Sequence, residues 1–218
     1  MKHFSQFFLL SERKKDQLHN SLVFFDMDET LFTYKPDAMK IHVLDKRGEK
    51  VTSLSNQQFN THKLEPGHSF DFTDFRSSEV FAKSAIPIKY MIAKLKAILR
   101  NNKNVEIITA RSDLDNQAKF AAHLKEYGID INKDVHVRRA GNLRGGRTTA
   151  QSKALIIADA INNKKEGYQK VYLYDDSSDN LAAFLALKSK FPKITFVAYL
   201  VQHDHKTDKV KIIVTKTA

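Results

Sequence analysis

Two aspartates leave an apolar run in Leu22-Val23-Phe24-Phe25-Asp26-Met27-Asp28-Glu29-Thr30-Leu31, and this feature constrains the chain more than any other. Four large apolar residues in succession suit a strand buried on both faces, as in a parallel sheet covered by helices. Such a strand delivers the residues after it to the carboxyl edge of the sheet, where open α/β sheets bind ligands. Two carboxylates held close there repel each other and resist joint ionisation unless a cation lies between them. A hard metal with oxygen ligands is the natural partner, and Mg2+ is the default. A turn with a helix cap accounts for one Asp in such a place but not for two.

The rest of the chain repeats the pattern. Apolar β-rich runs at residues 22–25, 105–109, 135–137, 171–174 and 194–200, with a last one at 210–214, alternate with segments of helical period. The spacing predicts a helix from near Pro87, with Ile88, Met91, Ile92, Leu95, Ile98 and Leu99 on one face, ending at Asn101 and Asn102. A second is expected after Ser112 as N-cap, with Asp115 three residues on, reaching Gly128. A third is expected from Ser152 and a fourth near Asp179. The expected class is therefore α/β, a Rossmann-like three-layer sandwich around a mainly parallel central sheet. One stretch breaks the rhythm: residues 40–54 read as a hairpin with Arg47-Gly48 at its turn, followed by a polar run over 55–75. Residues 35–85 are expected to form a small, β-containing, cap-like insertion in a core made of 1–34 and 86–218.

Composition narrows the chemistry. A chain of 218 residues with 42% hydrophobic content can bury a core, and zero cysteines exclude disulfides, thiolate metal sites and cysteine nucleophiles. The balance of 36 basic and 25 acidic residues gives a net charge of +11, a field that attracts phosphorylated substrates and nucleic acids and that equally serves solubility. The run Phe7-Phe8-Leu9-Leu10 is too short for a signal-peptide core, so a soluble cytoplasmic protein without a membrane role is expected. The nine His residues show no metal-site spacing, and His203 with His205 beside Asp204 is expected on an exposed turn.

A second acidic strand end follows near the other terminus, where Val171-Tyr172-Leu173-Tyr174 runs into Asp175-Asp176-Ser177-Ser178-Asp179. Two such ends can share one metal. Between them lie Ile107-Ile108-Thr109-Ala110-Arg111, a strand ending in a hydroxyl, and Lys153 at the start of an apolar helix. A hydroxyl and an ammonium suit phosphate oxygens. In this order the four pieces resemble the haloacid dehalogenase superfamily of phosphohydrolases: Asp26 to Thr30 is similar to its first motif, Thr109 to its second, Lys153 to its third, and Asp175 with Asp176 or Asp179 to its fourth.

The resemblance implies an aspartyl-phosphate mechanism. Asp26 is then the nucleophile, and Asp28 protonates the leaving oxygen before deprotonating the hydrolytic water. Thr109 holds a phosphoryl oxygen, Lys153 offsets negative charge, and Mg2+ is bound by Asp26, the main-chain carbonyl of Asp28 and Asp175. Asp175 and Asp179 have one frequent spacing of the fourth motif, Asp175 and Asp176 the other. Thr30, Ala110 and Arg111 complete the expected phosphate-binding set. Glu29 stands where the family often has glycine.

The insertion falls where that family places its first type of cap, and its small size implies a site open to large substrates. Arg138, Arg139, Arg144 and Arg147, set among Gly141, Gly145 and Gly146, read as a flexible basic loop able to grip a polynucleotide or a second phosphate, or as a solvated loop. Phe70, Phe72 and Phe75 either pack the lid or stack bases. Three functions follow: a phosphatase for a nucleotide or polynucleotide end, a phosphatase for a small metabolite, and a catalytically idle module that binds nucleic acid or protein. The short lid and basic loop are also similar to phage-encoded members of the family, for which the compartment would be the host cytoplasm.

Overall fold

The computed structural model describes residues 20–59, 61–101, 104–143, 146–163 and 167–216. Its centre is a six-stranded sheet in the order β11-β10-β9-β1-β7-β8. The members are β1 (Ser21–Asp26), β7 (Val105–Thr109), β8 (His136–Arg139), β9 (Lys170–Asp175), β10 (Thr195–Asp204) and β11 (Lys209–Lys216). All pairings are parallel except the hairpin of β10 with β11. The chain builds outward from β1 through β7 to β8, then returns to the opposite side of β1 for β9 and β10. That reversal makes the carboxyl end of β1 the crevice of the sheet.

The period of two along β1 divides the core. Val23 and Phe25 face one layer with Ile88, Met91, Leu95, Phe120 and Leu124, carried by or flanking α4 (Lys89–Leu99) and α5 (Gln117–Glu126). Leu22 and Phe24 face the other with Ile157, Ile161, Leu181 and Phe184, from α6 (Thr149–Asn162) and α7 (Ser178–Ala186). Phe24 and Phe25 are fully enclosed, each worth about 2–3 kcal/mol of hydrophobic stabilisation. Helices thus cover both faces of a mainly parallel sheet. Among the described residues no helix is long and apolar enough to cross a membrane.

Residues between β1 and α4 fold beside this sheet. A ribbon of β2 (Phe32–Tyr34) and β6 (Ala85–Pro87) brings the two ends of the segment together. Above it, β3 (Ile41–Leu44), β4 (Lys50–Leu54) and β5 (Ser69–Asp71) form a three-stranded antiparallel sheet in the order β4-β3-β5. The hairpin turns where its residues dictate, with Gly48 at φ +81° and its amide on the Asp45 carbonyl. Short helices α1 (Asn56–Phe59), α2 (Thr73–Arg76) and α3 (Ser78–Ser84) complete the segment. Ile41, Val43 and Leu54 make a small core against which Phe59, Phe70 and Phe75 pack, while Phe72 is 39% exposed beside them.

Two helix starts differ from the sequence expectation, each for an identifiable reason. The helix expected after Ser112 begins at Gln117, because Asp115 is committed elsewhere: its carboxylate accepts from the Ser78 amide (2.8 Å) and its own amide donates to Arg76 O (2.9 Å). Asn116 caps instead, accepting from the Lys119 amide. The helix expected from Ser152 begins at Thr149, where Thr148 and Gln151 form a capping box. Apolar periodicity fixes where a helix is buried but not which polar neighbour caps it.

Candidate active site

Strand geometry delivers Asp26 and Asp175 side by side, since β1 and β9 are parallel neighbours and each ends in an acid. Both side chains are buried, and the wholly buried Lys153 reaches them from α6. Its Nζ lies 2.6 Å from Asp26 Oδ1 and 2.8 Å from Asp175 Oδ2. Burial works to lower the Lys153 pKa, but Asp175 and Asp26 outweigh it and hold the ammonium above its ordinary value. The other oxygen of Asp175 accepts from the Ser177 amide (3.0 Å) and from Asn180 Nδ2 (2.9 Å). Asp175 is thereby fixed on both oxygens.

One ammonium does not balance the acids around it. Oxygen atoms of Asp26, Asp175 and Asp176 lie within 4.8 Å of one another. Burial drives the Asp26 carboxyl well above the usual range against the pull of Lys153, with the charges of Asp175, Asp176 and Asp28 adding to the rise. Lost hydration and the charge of Asp175 push Asp176 to about 7. Three oxygen donors with an unmet negative charge fit a hard divalent cation. Asp179 stands apart from this group, exposed on the first turn of α7. Of the two spacings open in the sequence, the adjacent pair Asp175-Asp176 is therefore the one brought to Asp26.

Asp28 has a different environment. Arg111 presents Nε to both its oxygens (3.1 Å each) and Nη2 to Oδ1 (2.7 Å), and Tyr34 donates its hydroxyl to the same Oδ1. Thr109 Oγ1 donates to Asp28 Oδ2 (3.3 Å) and accepts from the Arg111 amide (3.1 Å). Burial works to raise the Asp28 pKa, but the charge and hydrogen bonds of Arg111, with that of Tyr34, prevail and hold it below the ordinary carboxylate value. Arg111 was expected on phosphate; its guanidinium instead serves Asp28, Tyr34 (2.8 Å) and the carbonyl of Phe75 (2.9 Å). It also lies over the rings of Tyr34, Phe75 and Phe81. The inserted segment is thus tied to the acidic loop through Arg111 and Tyr34.

The loop after β1 is a tight turn, with the Leu31 and Phe32 amides on Met27 O and Glu29 at φ +59°. That left-handed conformation is the one glycine adopts freely, and here a glutamate occupies it. Thr30 is buried with its hydroxyl unpartnered among the described residues. Ala110, at the end of β7, lies against Gly141: a Cβ added to that glycine would fall 2.4 Å from Ala110 O and 2.5 Å from Ser112 N. Gly141 is a packing glycine, not a source of loop flexibility.

Two of the four arginines are committed to ion pairs within the fold. Arg138 pairs with Glu106 and lies 3.7 Å from Asp159; Arg139 bonds Gln117 (2.6 Å) and Asp113 (3.2 Å) and lies over Phe120. Arg147 is exposed just before α6, and Arg144 falls outside the described residues. Tyr34 and Asn180 were missed in the sequence. Tyr34 carries no motif and meets Asp28 only because β2 doubles back, whereas Asn180, five residues beyond Asp175, has a spacing that a strand-to-helix turn makes legible. Compared with known proteins, the chain matches no family model and no curated protein sequence.

Proposed function

We propose that this chain is a Mg2+-dependent phosphohydrolase of the haloacid dehalogenase type that cleaves a phosphomonoester through an aspartyl-phosphate on Asp26. The observation that carries the reading is the buried Lys153 bridging Asp26 and Asp175 at adjacent strand ends, with a third acid at hand and Asp28 two residues along the chain. A buried ion group of this kind is costly to maintain and suits a site that must receive a dianionic phosphoryl group.

In this reading Asp26 attacks phosphorus, the bond to the leaving oxygen breaks, and Asp28 supplies the proton that oxygen takes. Asp28 then withdraws a proton from water as the water attacks phosphorus and frees Asp26, releasing inorganic phosphate. Lys153 holds Asp26 in place and offsets charge, while Thr109 orients Asp28 and the phosphoryl group. Asp26, Asp175, Asp176 and the Asp28 carbonyl would hold Mg2+, which would supply charge neutralisation for the phosphoryl group. The small three-stranded lid and the +11 net charge favour a nucleotide or polynucleotide end over a small metabolite.

The test is release of phosphate from an aryl phosphate and from an end-phosphorylated oligonucleotide, with Mg2+ and with EDTA. Turnover that EDTA abolishes and Mg2+ restores is expected. A protein inert on both substrates with Mg2+ would contradict the polynucleotide-end reading and leave the small-metabolite phosphatase and the idle binding module.

A further inference from the structure

A second cluster of ligand-type side chains lies beside the acidic loop and has no part in the reaction above. Glu29 follows Asp28 directly, and His203 and His205 come from the same carboxyl edge of the sheet, at the close of β10 and in the turn to β11. One ligand atom from each of Glu29, His203 and His205 lies within 4.8 Å of the others. Contrary to the exposed turn expected from sequence, the His203 side chain is only 5% exposed. We propose that Glu29, His203 and His205 form a binding site for a first-row divalent ion of the zinc type, distinct from the all-carboxylate site.

The arrangement of the other ring nitrogens supports this assignment. An imidazole bound to a metal through one nitrogen commonly gives its remaining N–H to a carboxylate or another oxygen, which fixes ring and tautomer. His203 Nε2 lies 2.9 Å from Asp208 Oδ1, and its Nδ1 is buried without a hydrogen-bond partner among the described residues. His205 Nδ1 lies 3.1 Å from Thr33 Oγ1, which in turn is 3.5 Å from Glu29 Oε1. Each histidine therefore has one nitrogen occupied by an oxygen and one left for an ion. His205 Nε2 and Glu29 Oε2 are 3.4 Å apart, matching the edge of about 3.3–3.4 Å in a tetrahedron with bonds of about 2.0–2.1 Å.

Donor type selects the ion. Two imidazoles with one carboxylate suit zinc and its first-row neighbours, whereas Mg2+ prefers oxygen alone. Three protein ligands leave one tetrahedral position for water. Occupancy would pin the β10–β11 hairpin to the turn that carries Asp28.

The experiment is equilibrium titration of the chelator-treated full chain with Zn2+ in excess Mg2+, which fills the carboxylate site, with folding of each variant checked by circular dichroism. The parent binds one Zn2+ per chain. His205→Ala, at a side chain 49% exposed and so tolerant of truncation, weakens Zn2+ binding by at least about a hundredfold, and Asp208→Asn by about tenfold, as loss of an orienting partner does. Asp175→Asn leaves the Zn2+ affinity as it was. Equal affinity in the parent and His205→Ala, or loss of Zn2+ in Asp175→Asn instead, overturns the assignment, as does a parent that binds none.

Discussion

A carboxyl group that gives a proton at one step and takes one at the next works best with a pKa near the operating pH, and Arg111 holds Asp28 below that. The pairing favours the base over the acid. Substrates with poor leaving groups, which need the proton, should lose turnover as pH rises sooner than aryl phosphates do. In Arg111→Gln that fall should move up by about one to three pH units, as expected when an Arg beside an Asp is lost. Unchanged pH profiles would remove Arg111 from the proton economy of the site. Asp26 and Asp176 behave in the opposite sense. Their pKa values are raised in the folded protein, to about 7 for Asp176, so the metal-free protein binds more protons than the unfolded chain and loses stability as pH rises toward neutrality. Thermal melts should show stabilisation by Mg2+ that is small at pH 5 and grows through pH 7, and a shift independent of pH would contradict the shared carboxylate site. Lys153→Ala leaves Asp26 and Asp175 facing each other in the core. It should cost about 3–5 kcal/mol in urea denaturation without metal, with part recovered in Mg2+.

At the scale of elements, the site depends on how closely the loops after β1 and β7 are packed. Gly141 sits where the turn after β8 presses on Ala110 and Ser112, and the atoms that an added methyl would meet are backbone. Gly141→Ala should therefore push the end of β7 away, displacing Thr109 and Arg111 together, and lower turnover by at least about tenfold for an ångström-scale displacement. Wild-type turnover in this variant would show that the loop yields freely. The inserted segment is held by a comparable contact: Asp115 and Asn116 bond Ser78 at the start of α3, and Lys119 pairs with Glu79. Loss of this stitching should loosen the inserted segment without touching Asp26, Lys153 or Asp175.

For the whole molecule, the sheet was largely legible because a strand buried on both faces has little choice of residue. The runs ending at Phe25, Thr109 and Tyr174 lie within β1, β7 and β9, each extended by at most two residues. The acids were legible because polar residues directly after such strands can only emerge at the sheet edge. What the sequence hid lies in partnerships between distant segments. Nothing local assigns Arg111 to Asp28 rather than to phosphate, joins Tyr34 to both, or carries His203 and His205 to Glu29. The same holds for Arg138 and Arg139, whose sequence reads equally as a phosphate-gripping or a solvated loop and which Glu106 and Asp113 hold in ion pairs. Replacing Arg138 and Arg139 by Ala should accordingly lower stability more than it changes the salt dependence of oligonucleotide binding. The proposed reaction turns on one bond, between Asp26 and phosphorus. Rapid quenching during turnover of an aryl phosphate, followed by mass mapping, should find the phosphoryl group on the peptide containing Asp26, and Asp26→Asn should lose both the adduct and more than about a thousandfold of the activity. Steady turnover in Asp26→Asn, or a phosphoryl group on another residue, would contradict the account.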